Sequence, residues 1–270
     1  MSVKKEPNGR RSVQVEVEVP GTPEEVWRAI ATGPGVSSWF VPTEVDERAG
    51  TVTLDFGPGM RSVAKMTAWE PPRRFAAESS DWGPNSPPVA TEWTVEARAG
   101  GTCVVRVVHS LFAETDDWDG QLEGTESGWP GFFRTLRLYL THFRGLPCST
   151  IRLMAVASES ESKAWERLVG SLGLAGAAAG QRRNAPAGVP PFVGVVEYVS
   201  EVPRDMLLRL EQPAPGVAAL GAFACGGPVM VAMTFYLYGE RAAAAAAQHD
   251  PAWQKWMSEK FPPVGQPTTP

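Results

Sequence analysis

The chain repeats itself. Residues 100–114 read GGTCVVRVVHSLFAE, and residues 226–240 read GGPVMVAMTFYLYGE. Each is a Gly-Gly turn, a β-rich apolar run, an aromatic and a glutamate. Upstream, VEVEVPGTPEEVWRAI at 15–30 parallels LMAVASESESKAWERL at 153–168, and Glu70-Pro71-Pro72-Arg73 parallels Glu201-Val202-Pro203-Arg204. Downstream, Trp129 and Phe132 parallel Trp253 and Trp256. The offset falls along the chain from 138 to 131, 126 and 124, so the second copy is shortened by loop deletions while the order is kept. So long a period does not describe a solenoid; it describes two domains of one fold.

The 270 residues suffice for two such copies, each large enough to bury its own core. Residues 1–11 read as a flexible arm, 12–146 as the first domain, 150–261 as the shortened second domain and 262–270 as a disordered Pro/Thr-rich tail. The opening residues lack the apolar core of a secretory leader, and no run of eighteen apolar residues exists. Membrane insertion is not expected. Cys103, Cys148 and Cys225 are far apart and odd in number, with no zinc spacing. These features point to reducing cytoplasm. The net charge of −5, with no basic cluster, argues against nucleic acid as a partner.

Local patterns give the elements. Val13, Val15, Val17 and Val19 alternate with polar residues, as in a half-buried strand. Thr22 caps a helix with Pro23 in its first turn and Glu24 and Glu25 on the positive end of its dipole. Gly33-Pro34-Gly35 reads as its stop. Strand-like runs at 42–47, 50–56, 61–70, 74–79, 89–98 and 102–112 are joined by short turns, which favours an antiparallel meander. A long helix follows from about Gly128 to Phe143, with Pro130 in its first turn and Trp129, Phe132, Leu136, Leu140 and Phe143 on one face. The second copy reads as strand 151–157, helix 161–172, strands at 192–200, 205–212, 216–224 and 228–238, then helices at 242–247 and 253–261. No clear counterparts of 42–47 and 50–56 are visible. The expected class is α+β: two tandem domains, each a curved antiparallel sheet wrapped on a long C-terminal helix.

The first copy resembles the START-like helix-grip (SRPBCC) superfamily, and within it the family of the activator of heat-shock protein 90 ATPase. The resemblance rests on VEVEVPGTPEEVWRAI, the Trp39-Phe40 pair, EPPRRF, and VRVVHSLFAETDDWDG followed by Gly128-Trp129. It spans roughly residues 12–145, and the second copy joins only through the repeat. Leu111 stands where many members carry glycine. The resemblance implies an apolar cavity between sheet and helix and a hydrophobic small molecule as ligand. Some relatives act as polyketide aromatase/cyclases, and some stimulate the chaperone ATPase.

The expected ligand-binding residues are Trp39, Phe40, Trp93, His109, Trp129, Phe132, Phe133 and Leu136. Each aromatic taken singly reads first as core filling; as a group they stand out, because seven of the ten tryptophans fall in the first copy. Ala219 falls where the first copy has Trp93, so the larger cavity is expected in the first domain. His109 shares a strand face with Cys103, Val105 and Val107. It reads either as a buried neutral ring bonded to its neighbours or as a proton-transfer group; no catalytic residue is assigned beyond that one. The loop Asp81-Trp82-Gly83-Pro84 reads as a surface connection or a lid. Asp116, Asp117, Asp119, Glu123 and Glu126 read as a solvated acidic loop, without the ligand register of a calcium loop. No hydrolase elbow, phosphate loop, dinucleotide fingerprint or metal-ligand pair appears, so no cofactor and no metal is expected. Three functions remain open: a binding protein for a hydrophobic small molecule, a cyclase/aromatase-like enzyme using His109, and a chaperone ATPase regulator or other protein-interaction module.

Overall fold

The computed structural model describes residues 3–57, 59–80, 86–224 and 227–262. The chain divides into two compact units, 1–145 and 146–270. The loop at Asp81–Pro84 and the tail from 263 onward lie outside the described residues.

In the first unit, β1 (Lys4–Lys5) and β2 (Arg10–Pro20) precede α1 (Pro23–Ala31) and α2 (Gly33–Ser37). Then come β3 (Thr43–Asp46), β4 (Thr51–Asp55), β5 (Arg61–Glu70), β6 (Arg74–Ser79), β7 (Val89–Arg98), β8 (Thr102–Phe112) and α3 (Asp119–His142). The strands form one antiparallel sheet in the order β1-β2-β8-β7-β6-β5-β4-β3. Alternation sets its faces: Cys103, Val105, Val107, His109 and Leu111 of β8 all point inward and are buried.

The Thr22 cap is a full capping box. Its hydroxyl accepts from the Glu25 N–H, and the Glu25 carboxylate accepts from the Thr22 N–H. Gly33-Pro34-Gly35 does end α1, yet the chain re-enters helix at once. Thr32 caps α2 by accepting from the Gly35 N–H, and Pro34 sits in the first turn, where its missing N–H costs nothing. Only glycine fits at 35, since a Cβ there would lie 1.9 Å from the Arg28 carbonyl oxygen.

Three expectations are corrected here. Residues 4–11 are not a loose arm. Lys4 and Lys5 pair with Ser12 and Arg11, Val3 is buried, and Val3 joins Val13, Val89, Leu111 and Leu122 in one apolar cluster. The acidic segment is not simply solvated. Arg11 binds Asp119 at 2.7 Å and Asp116 at 2.7 Å, and Lys5 binds them at 2.8 and 3.0 Å. Finally, α3 begins nine residues before Gly128, so Pro130 lies in the helix interior and leaves the Glu126 carbonyl without its backbone donor.

The second unit runs β9 (Cys148–Ala157), α4 (Glu161–Ser171), β10 (Arg182–Asn184), β11 (Val193–Glu201), β12 (Arg204–Gln212), β13 (Gly216–Ala224), β14 (Val229–Tyr238) and α5 (Ala242–Lys260). Its antiparallel sheet has the order β10-β11-β12-β13-β14-β9. The core lies between that sheet and the two helices, around Trp165, Leu168, Phe235, Trp253 and Trp256. β10 supplies a three-residue remnant of a strand that the sequence did not reveal. The two helical stretches read at 242–247 and 253–261 form one helix.

Register also corrects one equivalence. His109 lies opposite Thr91 and Val107 opposite Trp93; in the second unit Phe235 lies opposite Ala218 and Met233 opposite Leu220. The counterpart of Trp93 is therefore Leu220, not Ala219. Thr91 and His109 are 18 residues apart but Ala218 and Phe235 are 17, so the second hairpin is one residue shorter. A shift of one residue moves each side chain to the other face. Both units are thus α+β helix-grip domains, each with a long C-terminal helix on an antiparallel sheet.

Candidate functional site

β8 and α3 bring His109 and Trp129 edge to edge. Their ring centroids are 5.7 Å apart and nearly parallel. The Trp129 Nε1–H donates to His109 Nε2 at 2.8 Å. With Nε2 accepting, Nδ1 carries the proton and donates to Thr91 Oγ1 at 2.9 Å. The cross-strand register Thr91–His109 makes the second contact possible, and the apolar stripe of α3 makes the first. Burial disfavours the imidazolium and pushes the His109 pKa down to about 4. His109 is therefore a neutral ring with both nitrogens engaged.

Around this pair the aromatics pack ring on ring. Trp129 meets Trp93 at 5.0 Å, Phe133 at 5.3 Å and Phe40 at 5.3 Å. Trp39 joins through Trp93 at 6.3 Å and Phe40 at 5.7 Å, and its Nε1–H donates to the Ala29 carbonyl at 2.9 Å. Trp39, Trp93, Trp129, Phe133 and Leu136 are buried, whereas Phe132 is 39% exposed. Phe132 lies 4.5 Å from Phe40, and Phe40 lies 5.9 Å from Phe56, so these three rings cap the cluster toward solvent. Seven of the eight residues singled out from the sequence thus form one connected group of rings, and Leu136 follows on the buried stripe of α3. The sequence missed Thr91, which accepts the His109 Nδ1–H, and Phe56. Neither carried a signal: threonine and phenylalanine are ordinary strand residues.

Ring packs on ring here, and neither of two cavities found among the described residues is lined by these side chains. One, of about 470 Å³, is a polar recess lined by residues such as Lys5, Asn8, Arg10 and Glu114. The other is a void of about 10 Å³ in the second unit, walled by apolar side chains including Leu208, Met233, Phe235 and Trp253. The His/Cys/Asp/Glu side chains of the described residues make no group of three that could hold a metal ion. No helix among the described residues is long and apolar enough to cross a membrane.

Residues 10–141 match the family model described as polyketide cyclase/dehydrase and lipid transport. No curated protein matches the chain. Among solved structures, DynU16, a protein of the dynemicin biosynthetic locus, is 19% identical, over 91% of this chain and 95% of that one, with a TM-score of 0.42. The di-domain ARO/CYC BexL from the BE-7585A biosynthetic pathway is 12% identical, over 95% and 100%, with a TM-score of 0.45. The Aha1 dimer from Colwellia psychrerythraea is 20% identical, over 48% and 95%, with a TM-score of 0.39. The matched span lies within the first unit and agrees with its sheet-on-helix architecture: that unit is a START-like helix-grip domain similar to the polyketide cyclase/dehydrase and lipid transport family.

Proposed function

We propose that the first unit binds an apolar, ring-bearing small molecule against the aromatic cluster around Trp129, in the cytoplasm. The cluster itself carries this reading. It joins the buried Trp93 and Trp129 to the half-exposed Phe132, so apolar ring surface runs continuously from core to solvent. Aromatic faces take a flat apolar guest by offset or edge contacts. The family description, which includes lipid transport, agrees with an apolar guest. The two described cysteines are free thiols, as suits a reducing compartment.

A cyclase-type enzyme with His109 as base ranks second. To accept a proton at Nε2, the ring must first give up the Trp129 N–H, and its lowered pKa makes it a weak base. A chaperone-regulator or other protein-partner role has no residue-level feature in its favour.

Titration of the full chain with the neutral dye Nile red, followed by tryptophan quenching, tests the proposal. One dye per chain is expected, with Phe132→Asp raising Kd at least about tenfold, since a charge at the mouth must be desolvated by the guest. Unchanged affinity in Phe132→Asp places the dye elsewhere and refutes the assignment.

A further inference from the structure

Ring packs on ring around His109, so a guest enters only if part of the wall moves. The sheet resists movement: β8 is paired with β2 at eleven positions and with β7 at nine. The C-terminal half of α3 is anchored by Leu136 and Leu140, both fully buried. The N-terminal half, residues 119–128, is different. It contains Gly120, Gly124 and Gly128, and glycine is the poorest helix former apart from proline. Pro130 interrupts the hydrogen-bond ladder just beyond it, and Gly131 follows.

Few things hold this segment down. Leu122, with Trp118 beside it, packs into the cluster of Val3, Val13, Val89 and Leu111. Glu126 is buried near the end of the segment, and a further tie is ionic. Lys5 and Arg11 on the β1–β2 hairpin grip Asp116 and Asp119 at the start of α3. These bonds raise the Lys5 pKa, Asp119 contributing most, and lower that of Asp116, with Lys5 contributing most. Leu111 lies two residues beyond His109 on the same face of β8, so the segment covers the sheet right beside the His109–Trp129 pair. The matching part of α5 begins with six alanines, the strongest helix former, in place of glycines.

We propose that residues 119–128 are a lid that swings as one piece about Gly128–Gly131, and that the Lys5–Arg11–Asp116–Asp119 network is the latch holding it shut over the aromatic cluster. Opening draws Leu122 off Leu111 and exposes the end of the His109–Trp129 pair. That this opening admits a guest rests on the ligand-binding reading above; the hinge and the latch do not.

Hydrogen-exchange mass spectrometry on the full chain, paired with stopped-flow Nile red binding, is the test. In the wild type, amides of 119–128 should exchange at least about tenfold faster than those of 132–142. Asp116→Asn with Asp119→Asn should speed the first segment alone, and speed dye association with it. Gly120→Ala with Gly124→Ala should slow both by about fivefold or more. Added Cβ atoms at 120 and 124 meet nothing within 4 Å, so this variant keeps the fold and decides the matter should the Asn pair unfold. Equal exchange in the two halves, or halves that change together in the variants, overturns the lid. Exchange that changes while association does not overturns its gating role. If no form binds the dye, the ligand reading fails, and the exchange pattern alone decides whether the lid stands.

Discussion

Trp129 and Trp253 hold the same place in two copies of one fold, under opposite conditions. Each sits on the C-terminal helix, over the same position of the neighbouring strand. In the first unit that position is His109, which accepts the indole N–H at 2.8 Å and passes its own proton toward Thr91. In the second it is Phe235, with ring centroids 4.7 Å apart, and Ala218 stands opposite in place of Thr91. Trp253 is fully buried, and its Nε1 has no hydrogen-bond partner; the Nε1 of Trp256 is in the same state. An unpaired buried donor costs about 1–3 kcal/mol. The second core keeps the ring at this position and lacks the polar pairing. Apolar packing alone can therefore maintain this fold, and the Thr91–His109–Trp129 chain is present in the first unit only.

That contrast can be broken most forcefully with acid. The folded first unit keeps His109 neutral down to about pH 4, whereas the unfolded chain protonates it near 6.5. The unfolded state takes up the proton first, so the contribution is complete above pH 6.5 and is lost as pH falls toward 4. The loss is on the order of 3 kcal/mol. Calorimetric melting of the wild type and of His109→Phe, which copies the second core, checks this between pH 7 and 4. The wild type should show the extra slope, and equal slopes would show that His109 is not held neutral.

A smaller effect separates the two indoles. Trp129→Phe and Trp253→Phe delete similar volume, so their difference isolates the N–H. Trp129→Phe leaves His109 Nε2 without its donor, while Trp253→Phe removes a donor that has no acceptor. The first should be more destabilising than the second by about 1–3 kcal/mol, read from urea unfolding. Equal losses would mean that the Trp129–His109 bond contributes nothing net.

The smallest effect comes from rebuilding the chain in the second unit. Phe235→His offers Trp253 an acceptor but buries an unpaired Nδ1–H. Adding Ala218→Thr supplies its partner, as Thr91 does for His109. A double-mutant cycle should give a favourable coupling of about 1 kcal/mol. Zero coupling would show that strand register alone does not place these groups within reach.

The two units also differ at the helix that closes them. α3 enters through a glycine-bearing segment tied by four charges, and α5 enters through alanines. Much of this was legible in sequence. The repeat, the alternation of Val13 to Val19, the Thr22 cap and the stripe from Trp129 to Leu140 are periodic local signals, and the fold class follows from them. The aromatic set was legible as a group as well, because the rings recur at helical and strand spacing.

What only the tertiary structure decided is pairing. Thr91 and Trp129 meet His109 across 18 and 20 residues of chain, and Arg11 meets Asp119 across 108. No local period encodes such contacts. A single residue missing from the second hairpin exchanged Ala219 for Leu220 as the counterpart of Trp93, since register counts bonds across strands and not positions along the chain. Residues 4–11 looked like an arm because their polarity hid partners that lie a hundred residues on. Sequence therefore set which faces are apolar and in what order they come. The fold alone set which buried polar groups find a partner, because a hydrogen bond depends on distances of a few tenths of an ångström that are fixed only once both elements are docked.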